Sequence, residues 1–80
     1  MKVTLTGPLV ALANGQSEFD VQAGAIHQML ARLARDYPVL GPMIDEGVSV
    51  AVDGTIYNGD FATVVREGSE VVLMIKIVGG

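Results

Sequence analysis

The residues most able to take part in chemistry are the last three of the sequence, Val78, Gly79 and Gly80, which directly follow an apolar run that begins at Val71. Glycine has no Cβ and adopts backbone conformations that other residues avoid, so a diglycine end can enter a channel too narrow for larger residues. The functional interpretation of this pattern is that the backbone carboxylate of Gly80 is the reactive group. The dipeptide alone favours the alternative, an inert, frayed terminus, and the preference for a reactive carboxylate comes from the rest of the sequence.

The side chains offer little other chemistry. The sequence has no cysteine, which excludes disulfides, thiolate metal sites and thiol nucleophiles. Its single histidine, His27, has no second histidine or cysteine to share a metal ion, so it is expected to be a solvated helix residue. We therefore predict no catalytic residue, no metal site and no bound cofactor.

Composition and charge narrow the class of partner. Eighty residues, half of them apolar and only four aromatic, predict one domain (residues 1–80) with an aliphatic core. Nine acidic and five basic residues give a net charge of −4, which argues against nucleic-acid binding. No stretch has the length of a signal peptide core or a membrane span, so we expect a cytoplasmic protein without a membrane partner.

The elements that must position the end of the chain are predicted from hydrophobic periodicity. Alternating or continuously apolar segments indicate five strands: Lys2–Thr6, Glu18–Gln22, Val48–Asp53, Thr55–Tyr57 and Val71–Val78. The third and fourth strands are separated by a tight-turn dipeptide, Asp53-Gly54. The last strand is apolar on both sides, which is typical of a strand in the middle of a sheet.

A helix is predicted over Ala25–Tyr37. Its apolar residues recur at helical spacing, with Gly24 as the expected N-cap and Pro38 as the stop signal. Leu9–Ala13 is ambiguous between a short helical turn and a loop. Val39–Glu46 is predicted to be a connecting stretch, because it contains the breakers Gly41 and Pro42.

The predicted order β-β-α-β-β-β defines an α+β fold in which a mixed sheet of four to five strands wraps around one main helix. The first and last strands are expected to pair at the centre of the sheet.

With these elements in place, the sequence resembles the MoaD/ThiS family of ubiquitin-like β-grasp sulfur carrier proteins. The resemblance covers nearly the whole chain and lies in five segments that occur in the order and at the spacing of the family: Ala25–Leu30, Asp36–Leu40, Gly47–Gly54, Glu67–Val71 and Val78–Gly80. It implies a ubiquitin-like β-grasp fold.

The resemblance also implies a function. A ubiquitin-activating-type adenylyltransferase (MoeB/ThiF-like) would use ATP to adenylate the Gly80 carboxylate, with the tail Val78, Gly79 and Gly80 entering its active site. Sulfur from a donor such as a cysteine desulfurase or rhodanese would displace AMP and leave a thiocarboxylate. A pathway-specific acceptor enzyme would then take the sulfur for molybdopterin, thiamine thiazole or a related product. The chain itself would be a carrier and not an enzyme.

A docking surface is predicted from the parity of the last strand. Val72, Met74 and Lys76 have the opposite parity to Val71 and Leu73, so they are expected on the open sheet face. An apolar patch there would dock the activating enzyme. The alternative is that a loop covers these residues and makes them ordinary core.

Two acidic residues, Glu67 and Glu70, are expected to assist docking by steering a basic partner surface.

Two other functions share the expected fold. A ubiquitin-like protein modifier would transfer the activated Gly80 to a lysine amine, and a non-catalytic β-grasp subunit would only pack against a larger enzyme. The sequence leaves open which pathway is served, and whether Gly80 is the encoded or a processed terminus.

Overall fold

Five strands and three helices form the part of the chain that the structure, a computed structural model, describes: residues 1–22 and 24–76. In chain order they are β1 (Lys2–Leu5), α1 (Pro8–Leu12), β2 (Glu18–Asp20), α2 (Ile26–Asp36), α3 (Leu40–Glu46), β3 (Val48–Val52), β4 (Thr55–Tyr57) and β5 (Glu70–Ile75).

The strands form one mixed sheet in the order β2-β1-β5-β3-β4. β5 runs parallel to β1, with Val3 opposite Val71, and antiparallel to β3, with Val50 opposite Leu73. The other two pairings, β1 with β2 and β3 with β4, are antiparallel. The predicted α+β architecture is therefore confirmed, and so is the central position of the last strand beside the first.

The main helix, α2, buries its predicted apolar stripe of Ile26, Met29, Leu30 and Leu33. The prediction of Gly24 as N-cap is wrong by one residue, because Ala25 holds that position. Neither residue has a capping side chain. Instead, the Gln28 side-chain oxygen accepts the backbone N–H groups of Gly24 and Ala25, each at 3.0 Å. Gln28 thus satisfies donors that the start of a helix leaves without partners.

A second correction concerns residues 39–46, which were predicted to be a connecting stretch but contain helix α3. Pro42 is the third helical residue, where the N–H group has no intrahelical acceptor and proline is tolerated. Leu40 is fully buried and ties this helix to the core. The ambiguous segment near Leu9 is also helical, and Pro8 opens α1 at the first position, which suits proline.

The core lies between the sheet and the helices. Residues of alternate parity on β1, β3 and β5 point toward α2, and each large aliphatic side chain buried there contributes about 1.5–3 kcal/mol to stability. Its largest fully buried side chains are Val3, Leu9, Ile26, Met29, Leu40, Val48, Val50, Val71 and Leu73.

A tight turn joins β3 to β4, as predicted from the Asp53-Gly54 dipeptide. Both residues have positive φ, 47° for Asp53 and 89° for Gly54, as a two-residue hairpin turn requires. Ile77 and Val78, predicted to continue β5, lie outside the described residues. No helix in the described part of the chain is long and apolar enough to cross a membrane.

Candidate functional site

The residues predicted to be chemically reactive, Val78, Gly79 and Gly80, lie outside the described residues. The structure does describe where the chain approaches them. The N–H of Lys76 faces the carbonyl oxygen of Gly47 at 3.4 Å. A Cβ built on Gly47 would lie 3.4 Å from Cδ of Lys76, so the Lys76 stem packs directly over this glycine. The chain beyond β5 therefore starts beside the junction of α3 and β3.

The predicted parity of the last strand is confirmed. Val71 and Leu73 are buried in the core, whereas Val72 and Met74 are half-buried and Lys76 is exposed. Val72 lies opposite Ala51 of β3. Side chains alternate between the two faces of a strand, so Val72 and Met74 share the sheet face that points away from α2.

A shallow groove of ≈ 220 Å³ crosses this face above β3. Its position follows from side-chain size: Ser49 of β3 lies opposite Met74 of β5, and the small Ala51 lies opposite Ile56 of β4. Ile56 is 60% exposed. The groove is lined by Ser49, Ile56, Asn58, Met74 and Ile75.

One polar pair lies in this groove. The Ser49 hydroxyl is buried, at 7% exposure for the residue, and donates a hydrogen bond to Oδ1 of Asn58. A buried hydroxyl without a partner would be costly, so this bond explains how serine is accommodated there.

Sequence reasoning missed Ser49, Ile56 and Asn58 as members of the site. The alternation of β3 was the available signal for Ser49, since it predicts that Ser49 shares a face with Ala51. The signal for Asn58 was the two-residue turn at Asp53-Gly54, because the hairpin register that it sets, continued one residue past Val50 and Tyr57, brings Asn58 opposite Ser49.

The acidic residues predicted to assist docking, Glu67 and Glu70, are exposed but lie at the other end of β5. Six residue steps separate Glu70 from Lys76, which corresponds to roughly 20 Å along the strand. The structure therefore places Met74 and Lys76 toward the end of β5 that precedes residue 77, the two glutamates at the opposite end, and Val72 between them.

Near Glu70, a carboxylate closes the end of the β3–β5 ladder. Asp53 Oδ1 accepts the N–H of Glu70 at 3.0 Å, and the N–H of Asp53 donates to the Glu70 carbonyl at 2.9 Å. The hydrogen bond from the Glu70 backbone, helped by the Ser69 hydroxyl, lowers the pKa of Asp53 below its ordinary value; desolvation opposes this shift. Both donors stabilise the charged form.

His27 is exposed on α2, as expected for a solvated residue, and its backbone N–H donates to the Phe61 carbonyl. Within residues 1–22 and 24–76, no group of three or more histidine, aspartate or glutamate side chains is arranged to hold a metal ion.

The parallel central pair β1–β5, the antiparallel flanking strands and the helix packed across one face define a ubiquitin-like β-grasp protein. The ThiS family profile matches residues 3–80, and the chain belongs to this family. It is accordingly a ubiquitin-like sulfur carrier, a small carrier protein and not a catalyst. No curated protein matches the sequence.

Solved structures share the fold at low sequence identity. Mycobacterium tuberculosis CysO has a TM-score of 0.77 and 16% identity, with 95% of this chain and 98% of that chain covered. A chain of the Amycolatopsis orientalis BexX/CysO complex has a TM-score of 0.77 and 13% identity, with coverage of 99% and 98%. A chain of the complex of subunits 1 and 2 of the molybdopterin-converting factor from Helicobacter pylori has a TM-score of 0.69 and 18% identity, with coverage of 99% and 96%.

Proposed function

We propose that this chain carries sulfur as a thiocarboxylate on Gly80. The observation that carries the proposal is that the match to the ThiS family extends to residue 80 and so includes both glycines. The composition supports it, because a chain without cysteine has no thiol side chain on which to hold sulfur. The transferred atom would therefore reside on the backbone terminus.

The proposed chemistry has three steps on the carrier. First, the Gly80 carboxylate attacks the α-phosphorus of ATP on a MoeB/ThiF-like adenylyltransferase, forming an acyl adenylate and releasing pyrophosphate. Next, a persulfide from a cysteine desulfurase or rhodanese attacks the acyl carbon and displaces AMP. A second thiol then cleaves the resulting acyl disulfide, which leaves the thiocarboxylate and a protein disulfide. ATP is consumed by the partner, so the carrier needs no cofactor of its own.

Exclusion of water is essential in the first step, because an acyl adenylate hydrolyses readily. The partner's active site must close around the tail, and the absence of side chains at Gly79 and Gly80 suits a narrow entrance. The carrier supplies the reacting carboxylate and no acid or base. Because ATP and the activating enzyme are needed together, the proposal places the protein in the cytoplasm.

The open sheet face is the proposed docking surface for the activating enzyme. Val72 and Met74 supply apolar area next to the groove, and Lys76 lies where the chain leaves β5 toward its tail. Similar folds occur in two-protein complexes, BexX with CysO and the two subunits of the molybdopterin-converting factor, which supports a protein partner. Glu67 and Glu70, at the far end of β5, would contribute long-range attraction to a basic surface.

The test is ATP–pyrophosphate exchange with a purified MoeB/ThiF-like enzyme from the same cell. The unmodified chain should support exchange, and a chain lacking Gly80 should not. Gly41→Ala is the matched control, since an added Cβ there meets no atom within 4 Å and Gly41 lies in α3, outside the groove.

Each outcome has a distinct meaning. Exchange that survives loss of Gly80 would overturn the proposal, and no exchange with the unmodified chain would favour a non-catalytic subunit. Exchange followed by an amide bond to a lysine, with no sulfur incorporated, would identify a protein modifier instead.

A further inference from the structure

The groove on the open face contains a polar side chain whose hydrogen-bonding groups are only partly used. An asparagine amide offers one acceptor oxygen and two N–H donors. Oδ1 of Asn58 accepts from the Ser49 hydroxyl. Within residues 1–22 and 24–76, the side-chain nitrogen of Asn58 has no hydrogen-bond acceptor. Because Asn58 is exposed, its two donors are available to a partner.

Ser49 determines which way this amide points. Its buried hydroxyl has one proton to donate, and that proton goes to Oδ1 of Asn58. With the oxygen held by Ser49, the NH₂ group is the part of the amide that makes no hydrogen bond within the described residues. Asn58 is therefore oriented before any partner arrives.

The surroundings of these donors are apolar. Ile56 and Met74 flank the groove on β4 and β5, and Ile75 completes its lining. A partner that covers the groove removes water from Asn58, so it must supply an acceptor or leave two donors unpaired. An apolar patch alone would accept many partners, whereas an unpaired donor penalises those that lack the matching group.

We propose that Asn58 is a specificity-determining residue of the docking face, which donates a hydrogen bond to an uncharged carbonyl oxygen of the activating enzyme while an apolar side chain of that enzyme fills the groove. A carbonyl suits this site better than a carboxylate, because the chain has a net charge of −4. This inference rests on the proposed function.

The decisive variant is Asn58→Asp. It preserves size and shape and still accepts from Ser49, but it replaces the two donors by an acceptor oxygen. Opposite a carbonyl oxygen of the partner, the new aspartate oxygen is repelled, whereas the asparagine N–H group donated a hydrogen bond to that carbonyl. Asn58→Ala removes the donors without adding repulsion. Loss of one hydrogen bond corresponds to about 2- to 10-fold in affinity, so we expect that loss for Asn58→Ala and a larger loss for Asn58→Asp.

The matched control is Asn14→Asp. Asn14 is also exposed and also precedes a glycine in a turn, and the substitution adds the same charge. Asn14 lies between α1 and β2, and β2 is at the opposite edge of the sheet from β4. This control should bind like the unmodified chain, and it separates a local effect from a change in net charge.

The measurement is the dissociation constant for the purified MoeB/ThiF-like enzyme, by calorimetry, together with ATP–pyrophosphate exchange and the melting temperature of each variant. The inference is supported if affinity falls most for Asn58→Asp and less for Asn58→Ala, while both variants melt near the temperature of the unmodified chain. Equal affinities for Asn58→Asp and the control, with exchange intact, overturn the inference but leave the proposed function standing. No exchange with the unmodified chain overturns both.

Discussion

Replacing Met74 by aspartate should separate docking from folding. Met74 is half-buried on the open face, opposite Ser49. Full burial of a methionine side chain contributes about 1.5–3 kcal/mol, so the half-buried side chain contributes roughly 1 kcal/mol. For a domain of this size, that corresponds to a fall of about 4–8 °C in the melting temperature. The new carboxylate stays hydrated at this exposed face and adds little further cost to folding.

The effect on binding should be much larger. A hot-spot side chain near the centre of a protein interface contributes about 2 kcal/mol or more, which is about 30-fold in the dissociation constant. A buried carboxylate without a partner adds a desolvation cost to this loss. We therefore expect Met74→Asp to weaken binding of the activating enzyme by at least about 30-fold while the fold persists.

Two further substitutions, one at position 74 and one at position 73, give reference values for binding affinity and melting temperature. Met74→Leu conserves volume and should bind almost normally. Leu73→Ala lies one residue earlier but is fully buried, and such a core truncation costs about 2–5 kcal/mol. Calorimetric titration and thermal unfolding of all four proteins give the comparison. If Met74→Asp binds within twofold of the unmodified chain, or melts as early as Leu73→Ala, Met74 is not a docking residue on an open face.

Two further predictions concern the frame that supports this face. Gln28→Ala removes the acceptor for the Gly24 and Ala25 N–H groups and should lower the free energy of unfolding by about 0.5–2 kcal/mol, the usual range for a lost helix cap. Gln28→Glu retains an acceptor at the positive end of α2 and should preserve stability. Urea unfolding measures both variants, and an alanine variant as stable as the unmodified chain would contradict the capping role. Because the folded-state pKa of Asp53 lies below its ordinary value, its charged form stabilises the fold above the unfolded pKa, and this contribution disappears as the pH falls through the folded pKa. Asp53→Asn should therefore melt earlier than the unmodified chain at neutral pH and converge with it in acid; a difference between the two that is independent of pH would refute this explanation.

Much of the fold follows from local pattern. The alternating valines of β3 and the Asp53-Gly54 dipeptide fix a strand and a hairpin turn by themselves, because side-chain alternation and positive φ leave few other solutions. The stripe that α2 buries is equally local. The continuous apolar run of β5 correctly placed this strand in the centre of the sheet.

The errors arose where the meaning of a residue depends on its exact position. Gly41 and Pro42 were interpreted as breakers, but proline at the third residue of α3 forfeits no intrahelical hydrogen bond. Gly24 was assigned as the N-cap of α2 because a glycine is tolerated there, whereas a side chain from within the helix, Gln28, supplies the cap.

The groove could be predicted only in part. Parity placed Val72 and Met74 on one face, but the groove also needs Asn58, whose contact with Ser49 depends on the course of the chain beyond β4. The two-residue turn at Asp53-Gly54 fixes the register of β3 with β4, and this register, continued one residue past Val50 and Tyr57, places Asn58 opposite Ser49. The turn does not determine whether the chain stays in line with β4 beyond Tyr57. Glu67 and Glu70 are a different case, because their position before Val71 in the sequence already places them at the start of β5, away from Lys76.

The central claim is that Gly80 bears the sulfur. Its most direct test is the intact mass of the carrier after incubation with the activating enzyme, ATP and a persulfide donor. If Gly80 bears the sulfur, the mass rises by the difference between one sulfur and one oxygen atom, fragmentation locates this gain to Gly80, and the mass does not rise when one alanine is appended after Gly80. An unchanged mass for the native chain, or equal sulfur loading of the extended chain, would contradict it.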